Sequence, residues 1–320
     1  MAGIHLPKSR RSRVALTSLA ILSTAALLSA CTGTSEPADT ATADTGVVDA
    51  ELAALVPAEI ADSGVLSLGA LWETPPMISV DEADTNVAVG IAPDLAAIVA
   101  PILGLEPEWQ NMQWPAQLPG VLSGVVDALW GQVTDTAERE ASEYDQIPFF
   151  KNTESLLVLS ENADGIDGLA SMCGLSVGVP VGSTQSEEVA SVSAEYCEAN
   201  GEPAIELAEY QGATAAISAV QAGTVDAWMD NTTSQYGAAD ASDGLFSVVL
   251  ITEVPETFTA ITVSKEYPGL SEALAGALRI SIEDGSYQAV LDEWGVGAAA
   301  VTVDEVVINP YTGIAPGESE

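Results

Sequence analysis

The chain has 320 residues, of which 47 are Asp or Glu and only 8 are Lys or Arg, so its formal net charge at pH 7 is −39. Such an excess of negative charge argues against a nucleic-acid partner, because nucleic-acid binding depends on cationic side chains. The only histidine is His5, so beyond that position the chain has neither histidine-based catalysis nor histidine metal ligands.

Residues 1–30 have the pattern of a bacterial lipoprotein signal peptide. Four cationic side chains between positions 8 and 13 precede an apolar run over 14–30, and small residues lead to Cys31. Cleavage before Cys31 would leave an N-terminal cysteine that carries lipid and anchors the chain to the outer face of the cell membrane. An uncleaved membrane anchor is the alternative, but the run is short for a span and contains Ser and Thr.

Cleavage would also leave four cationic side chains against 47 acidic ones, a net charge of −43.

Residues 31–52 are mostly Thr, Ala, Asp, Gly and Pro with little to bury, which predicts a flexible tether. The rest of the chain is longer than a single hydrophobic core usually accommodates, so we expect two lobes.

Short apolar segments alternate with amphipathic segments after the tether, which predicts an α/β fold with mainly parallel strands. The predicted strands are 65–71, 156–160, 175–181, 246–252 and 258–263. The first predicted helix has apolar residues at 95, 98, 99 and 102, with Asp94 as its cap, and Pro101 should kink or shorten it before Gly104.

The predicted crossings between the lobes fall within 148–159 and 248–263. Lobe 1 would then comprise 53–155 and 255–310, with lobe 2 at 156–254 inserted between them and a tail at 311–320.

The three cysteines are accounted for if Cys31 carries lipid and Cys173 pairs with Cys197. Outside the cytoplasm such a pair should be oxidised, and closing the loop would stabilise the fold by roughly 3–4 kcal/mol. Two unrelated buried thiols are the alternative.

Arg139 is one of only four cationic side chains after residue 30. It follows Thr134 and Thr136 in a Thr-x-Thr-x-x-Arg run. A guanidinium retained in a chain with so little positive charge is suited to holding one carboxylate through a planar pair of hydrogen bonds. A surface arginine paired with Glu138 or Glu140 is the alternative.

Short motifs follow one another in a recognisable order between about residues 63 and 310. They are Ser63-Gly-Val-Leu-Ser-Leu-Gly69 with Pro75-Pro76, Gly90-Ile-Ala-Pro-Asp-Leu95, Leu118-Pro119, Gly124, Asp127-Ala128, Thr134-x-Thr136-x-x-Arg139, Pro148-Phe149, Val177-Gly-Val-Pro-Val-Gly-Ser-Thr-Gln185, Ala222-Gly-Thr-Val-Asp-Ala227 and Asp284-Gly-Ser-Tyr-x6-Trp294-Gly295. The series resembles the amino-acid-type (family 3) solute-binding proteins of ABC importers. The resemblance implies a type 2 periplasmic-binding-protein fold, with two α/β lobes, two hinge strands and a ligand cleft between the lobes.

Carried over by position, the resemblance assigns the α-carboxylate of a ligand to Arg139, with Gln132 and Thr134 as donors beside it on lobe 1. On lobe 2 it assigns a loop at a helix start, where free amide N–H groups favour the same carboxylate. That loop contains Ser183, Thr184 and Gln185.

Trp114 corresponds to an aromatic side chain that stacks on the ligand in relatives. Trp72 is predicted to lie in the first lobe 1 loop facing the cleft, and for both residues a place in the core is the alternative. Trp130 and Trp228 are predicted to be core residues near the cleft wall.

Two positions depart from the family pattern. Asn231 falls where relatives place the aspartate that holds the ligand ammonium, and Asp230 comes one residue early. An inward Asp230 would still suit an α-amino acid, whereas an inward Asn231 would remove that charge pairing. Leu71 replaces an aspartate of relatives that bind basic or amide side chains, which favours an apolar or aromatic side-chain pocket.

The sequence thus predicts a monomeric substrate-binding lipoprotein that captures a small carboxylate-bearing solute by hinge closure and delivers it to an ABC permease and its ATPase. No catalytic residue, metal or cofactor is expected. One alternative is a dehydratase of the prephenate or arogenate type, which shares this lobe architecture. Another is a lipoprotein that senses a ligand for a membrane receptor.

Overall fold

In the computed structural model, which describes residues 48–319, ten strands form two five-stranded sheets in separate lobes. The predicted signal peptide, Cys31 and most of the predicted tether lie outside the described residues. Within the described part, no helix is long and apolar enough to span a membrane.

The strands of the described residues are short, as the alternating apolar segments predict. They are β1 (Val65–Ala70), β2 (Glu73–Thr74), β3 (Ile78–Val80), β4 (Ala88–Val89), β5 (Glu106–Asn111), β6 (Ala128–Leu129), β7 (Tyr144–Asn152), β8 (Glu154–Leu159), β9 (Ser176–Pro180), β10 (Glu206–Tyr210), β11 (Ala227–Asn231), β12 (Phe246–Leu250) and β13 (Thr257–Ser264). The α-helices of the described residues are α1 (Ala50–Ala53), α2 (Ala58–Ser63), α3 (Ile91–Val99), α4 (Trp114–Leu122), α5 (Ala137–Ala141), α6 (Thr184–Val192), α7 (Ala213–Gln221), α8 (Thr232–Asp240), α9 (Pro268–Glu283) and α10 (Ser286–Glu293).

Lobe 1 contains the sheet β5-β1-β6-β13-β7. Strand β1 is parallel to β5 and β6, whereas β13 is antiparallel to β6 and β7. Leu66 and Leu68 of β1 are fully buried in a core that also contains Leu274 and Leu278 of α9. The C-terminal helices α9 and α10 therefore pack on lobe 1, because their apolar faces complete its core.

Lobe 2 contains the sheet β10-β9-β11-β8-β12. Strand β9 is parallel to β10 and β11, and β8 is antiparallel to β11 and β12. Half of the pairings in the two large sheets are thus antiparallel, so the prediction of mainly parallel strands is only half correct. The antiparallel pairings all involve β8 or β13, the strands by which the chain enters each lobe.

The chain crosses between the sheets twice. It passes from β7 to β8 at Thr153 and returns from β12 to β13 through residues 251–256. This arrangement of two sheet-containing lobes joined by two crossings confirms the predicted fold class.

Helix α3 begins differently from the prediction. Gly90 is its N-cap and supplies no side chain, while Asp94 lies inside the helix and accepts a 2.8 Å hydrogen bond from the indole of Trp294. Capping by Asp94 is therefore wrong, because the apolar face already starts at Ile91. The expected effect of Pro101 is confirmed: the helix becomes a 3-10 turn from Ala100 and ends at Gly104 in the left-handed conformation.

The predicted disulfide is confirmed. Cys173 and Cys197 are bonded across a separation of 24 residues, with their Cα atoms 5.5 Å apart. Cys197 is fully buried in a core of lobe 2, so the bridge ties the segment after α6 to that core.

Both ends of the described chain are packed against lobe 1. Helix α1 begins at Ala50, inside the segment predicted as a tether, and Asp49 caps it by accepting hydrogen bonds from two amide N–H groups. At the other end, the Asn309 amide donates to Gln146 O at 2.9 Å, so the chain runs beside the edge strand β7. We call residues 309–317 the C-terminal strap.

Candidate functional site

A cleft with an empty volume of about 540 Å³, partly open to solvent, lies between the two lobes. Lobe 1 and lobe 2 both contribute to its wall. The lining residues are Leu71, Thr74, Trp114, Gln117, Gln132, Thr134, Arg139, Pro180, Ser183, Thr184, Gln185, Gln211, Gly212, Ala213, Trp228, Asp230 and Asn231. Nine of the ten predicted ligand-binding residues are among them, and Trp72 is the exception.

Arg139 reaches the cleft from the short helix α5. The hydroxyl of Thr136 caps this helix by accepting from the Arg139 amide at 3.2 Å. The guanidinium Nη1 donates to the carbonyl oxygen of Thr134, and its carbon lies 5.6 Å from the centre of the Trp114 ring. The carbonyl and the indole face together fix the guanidinium without neutralising its charge.

The four cationic side chains after residue 30 have different surroundings. Lys151 pairs with Glu305 at 3.0 Å, and this is the only ion pair within 4.0 Å among residues 48–319. Lys265 and Arg279 donate to backbone carbonyl oxygens. Arg139 thus has no carboxylate partner in the described part, which rules out the predicted alternative of a surface pair with Glu138 or Glu140.

Asp135, four residues before this arginine, has a completely buried acidic side chain. Burial, together with the charge of Glu140, raises the pKa of Asp135 to about 9. Burial also lowers the pKa of Arg139. Asp135 is therefore neutral at pH 7, and the positive charge of Arg139 remains available to an anion in the cleft.

The start of helix α6 forms the facing wall on lobe 2. Ser183 is its N-cap residue, but the Ser183 side chain makes no cap hydrogen bond and its hydroxyl has no partner among the described residues. Thr184 and Gln185 occupy the first turn, whose amide N–H groups are not bonded within the helix. Gln185 is nearly buried and donates to Glu154 at 3.3 Å.

Asp230 and Asn231 both line the cleft at the end of strand β11. The Asn231 amide donates to Asp230 Oδ1 at 2.8 Å, and the Asn231 side-chain nitrogen has no partner in the described part. The sequence left open which of the two faces inward, and both are among the lining residues of the cleft.

Two further carboxyl groups lie behind Asp230. Burial raises the pKa of Asp230 to about 6, and burial with the charges of Glu188 and Asp230 raises that of Glu154 to about 8. The pKa of Glu188 rises to about 7, chiefly through burial. The part of the lobe 2 wall at Asp230 therefore resists further negative charge and favours a cation.

The tryptophans divide between cleft and core. Trp114 is half-buried and lines the cleft, as predicted. Trp72 is 6% exposed and packs against Ala70 and Ile78, away from the cleft, so its predicted place is wrong. Trp130 and Trp228 are core residues as predicted, and Trp228 also forms part of the cleft wall.

A second cavity, with an empty volume of about 630 Å³ that includes some open solvent, adjoins the cleft between the lobes. Thr74, Ala213, Trp228 and Asp230 line both spaces. The other lining residues of the second cavity are Glu73, Pro75, Ile217, Ser234, Gln235, Gly237, Ala238 and Ala241. Its wall is mostly carbon, with carboxylates at Glu73 and Asp230.

Hydrogen bonds cross directly from one lobe to the other beside these cavities. Gln132 donates to the Ser234 hydroxyl at 2.8 Å. The Thr214 amide, in the first turn of α7, donates to the carboxylate of Glu73 at 3.2 Å. The lobes are therefore in contact around the cleft.

The sequence did not single out several lining residues, notably Thr74, Gln117, Gln211 and Ala213. Gly212, which caps α7 directly after Gln211, was a usable signal because glycine is accepted at helix starts. Among the described residues, no group of three or more His, Cys, Asp or Glu side chains is arranged to hold a metal ion.

The family model of bacterial extracellular solute-binding proteins, family 3, matches residues 66–297. The arginine-binding protein ArgT of Corynebacterium glutamicum is 28% identical over 311 residues, which are 96% of this chain and 98% of the relative.

Solved structures give the same architecture. An ancestral arginine-binding protein bound to glutamine superposes with a TM-score of 0.65 at 26% identity, covering 73% of this chain and 98% of that protein. The ancestral amino-acid-binding protein AncCDT-1, a precursor of cyclohexadienyl dehydratase, has a TM-score of 0.64 at 22% identity, covering 74% and 97%. This second likeness concerns the fold alone.

Proposed function

The chain belongs to the family 3 bacterial extracellular solute-binding proteins, and we propose that it is the amino-acid-binding component of an ABC importer. The observation that carries the proposal is the uncompensated guanidinium of Arg139 in the interlobe cleft, opposite the start of α6 and the carboxylate of Asp230. Cation and anion on opposite walls match the two charges of an α-amino acid.

The carboxylate of the ligand binds Arg139 through two parallel hydrogen bonds, with Thr134 and Gln132 beside it on lobe 1. The nine-residue helix α6 completes this end of the site. Its free amide N–H groups and the unpartnered hydroxyl of Ser183 favour an anion, and the adjoining residues of this wall are Thr184 and Gln185.

The ammonium of the ligand binds Asp230. An arriving cation favours the ionised form of Asp230, whose pKa burial raises only to about 6. Glu154 stays protonated behind it, because its pKa is about 8. The carbonyl oxygen of the Asn231 side chain adds a neutral acceptor, since Asn231 also lines the cleft.

The side chain of the ligand is apolar or aromatic. Leu71, Trp114 and Trp228 line the cleft and make part of its wall apolar. A ligand held between Arg139 and Asp230 has its side chain near the mouth of the second cavity, because Asp230 lines both spaces. The apolar wall of that cavity suits a large hydrocarbon group.

A second candidate is an amino acid with a cationic side chain. Glu73 at the second cavity supplies a carboxylate besides Asp230, and the relative ArgT is named as an arginine-binding protein. An arginine or lysine side chain has an apolar stem and a charged tip, which fits a carbon-lined space with an acidic rim.

The ligand is captured by hinge closure about Thr153 and residues 251–256. Contacts such as Gln132 with Ser234 form only when the lobes meet, so a ligand that bonds to both walls increases the closed population. An ABC permease with its ATPase then receives the loaded protein, and lipid on Cys31 keeps it at the outer face of the membrane. A sensing lipoprotein would have the same pocket and a receptor as its partner.

Binding without turnover is part of the proposal. The likeness to AncCDT-1 concerns the fold, and after His5 no histidine remains to act as a general base. A dehydratase would convert prephenate or arogenate, whereas this protein should leave both unchanged.

The test is a thermal-shift screen of the soluble domain from Thr32 onward, against the standard amino acids and their amine-free carboxylates. A bound ligand raises the melting temperature by mass action. The proposal expects a shift with a few apolar or aromatic amino acids, and the second candidate expects L-arginine or L-lysine to give it. No shift with any amino acid would refute both.

A further inference from the structure

Helix α5, which carries Arg139, is only five residues long, from Ala137 to Ala141. A single turn has too few internal hydrogen bonds to be stable by itself, so its orientation depends on contacts with the rest of the fold. The Thr136 cap fixes its first turn. What fixes the other end therefore also fixes the direction of the Arg139 side chain.

Glu140 provides that second attachment. Its side chain is fully buried, and its two carboxylate oxygens accept from the backbone amides of Tyr311 at 3.0 Å and Thr312 at 2.6 Å. Its carbonyl oxygen accepts from Lys265 Nζ. Hydrogen bonds to a buried carboxylate are strong, and removing the donors would leave its oxygens without partners in the core.

The C-terminal strap that supplies these amides is itself firmly attached. The Asn309 side chain accepts from the Gln146 amide at 2.9 Å and donates to the buried Asp145 at 3.0 Å. Gly317 donates to the same carboxylate at 3.2 Å. The residues that bond to Glu140 thus lie between two anchors on strand β7.

We propose that the C-terminal strap is a positioning element of the ligand site: by bonding to Glu140 it holds α5 so that Arg139 points into the cleft with its charge uncompensated. This inference rests on the proposed function, because it assigns the strap a role in binding the ligand carboxylate. Arg139 contacts the ligand, whereas Glu140 and the strap act through it.

The strap should also influence the protonation of Asp135. The groups that face it are Glu140 and Arg139 from its own segment and Tyr311 from the strap. Burial first and then the nearby anion of Glu140 keep Asp135 protonated. Removing the strap would expose Asp135 and Glu140 to water, which lowers the pKa of Asp135. An ionised Asp135 would then compete with the ligand carboxylate for Arg139.

Two truncated proteins distinguish the positioning role of the strap from a general effect of shortening the chain. Ending the chain after Pro310 removes Tyr311 and Thr312, whereas ending it after Gly317 keeps the strap. Both truncations remove the same two glutamates, Glu318 and Glu320, so they are matched in charge.

Hydrogen exchange of residues 137–141 and affinity for the standard amino acids are measured in both truncated proteins. Loss of the strap should speed exchange in α5 and weaken binding about tenfold. The protein ending after Gly317 should match the full chain in both.

Unchanged exchange and affinity after removal of residues 311–320 would overturn the inference. Should that protein fail to fold, Thr312→Pro keeps the chain length and removes one donor to Glu140, so wild-type exchange and affinity in that variant would overturn it equally. Failure of the full-length protein to bind any amino acid would refute the proposed function, and the exchange of α5 would still decide whether the strap holds Arg139.

Discussion

The side-chain amide of Gln132 in lobe 1 donates a 2.8 Å hydrogen bond to the hydroxyl of Ser234 in lobe 2. The same hydroxyl donates a longer bond, 3.4 Å, to the carbonyl oxygen of Thr74. Helix α8, on which Ser234 lies, therefore touches lobe 1 at the rim of the cleft. The fit of this helix against lobe 1 should govern how readily the cleft closes.

Gly237 allows that close approach. A Cβ added at this position would collide with the carbonyl oxygen of Pro75 in lobe 1. Gly237→Ala should therefore weaken amino-acid binding about tenfold by disfavouring the closed state, while the better helix former stabilises α8 in the free protein by roughly 0.5–1 kcal/mol.

Titration calorimetry and thermal unfolding measure these two opposite effects. Tyr236→Phe is the control, because Tyr236 is exposed in the same helix and lines neither cavity. Wild-type affinity in Gly237→Ala would mean that closure does not depend on this contact.

Binding should weaken in acid through Asp230. Its pKa is about 6, so below that pH a proton competes with the ligand ammonium and affinity should fall nearly tenfold per pH unit. The ligand carboxylate titrates far lower and does not interfere. Asp230→Asn should bind weakly at neutral pH and show no such decline, and a wild-type affinity that stays constant from pH 7 to about 5 would argue against ammonium binding at Asp230.

Filling the second cavity should discriminate among ligands by size. Ala238→Phe places a ring in the space next to Gly237 and Ile217. Affinity for L-phenylalanine and L-leucine should fall about tenfold or more because their side chains would overlap this ring, whereas L-alanine and L-serine should bind as before. An equal loss for large and small amino acids would indicate damage to the lobe rather than a side-chain compartment.

Stability should decrease as the pH rises from about 5 to 8. The folded-state pKa values of Glu154 and Glu188, about 8 and about 7, lie above those of free glutamate. Between the unfolded and folded pKa values the folded protein holds protons that the unfolded chain has released, so raising the pH favours unfolding. The two groups together should cost roughly 6 kcal/mol of stability across this range.

Glu154→Gln should reduce this pH dependence, as measured by denaturant unfolding at several pH values. Glu206→Gln removes one charge at an exposed position and serves as the control. A slope that both variants reduce equally would come from the overall negative charge instead.

The sequence predicted the features that depend on local pattern. Strand β1 was predicted as 65–71 and found at Val65–Ala70, and the position of Arg139 in the cleft followed from a motif that the family keeps together in sequence. Features that depend on how distant segments meet were missed. Trp72 points into a small core, and nothing in its neighbours along the chain distinguishes that from a place in the cleft.

The contacts between the lobes and those of the strap belong to the same class. Glu73 and Thr214 are 141 residues apart, and Glu140 and Thr312 are 172 apart. The first contact depends on how the two lobes meet, and the second depends on the C-terminal strap running beside the edge strand β7. Secondary-structure propensity and hydrophobic periodicity describe local segments, so they predict neither contact.

Calorimetric titration of the wild type and Arg139→Ala with the amino acid that gives the largest thermal shift tests the central claim most directly. Lys151→Ala is the matched control, because it also removes one positive charge from lobe 1 but breaks only the surface pair with Glu305. We predict that Arg139→Ala loses at least about 2 kcal/mol of binding free energy, since the ligand carboxylate would be left without its charged partner, and that the control binds normally. Wild-type affinity in Arg139→Ala would contradict the account.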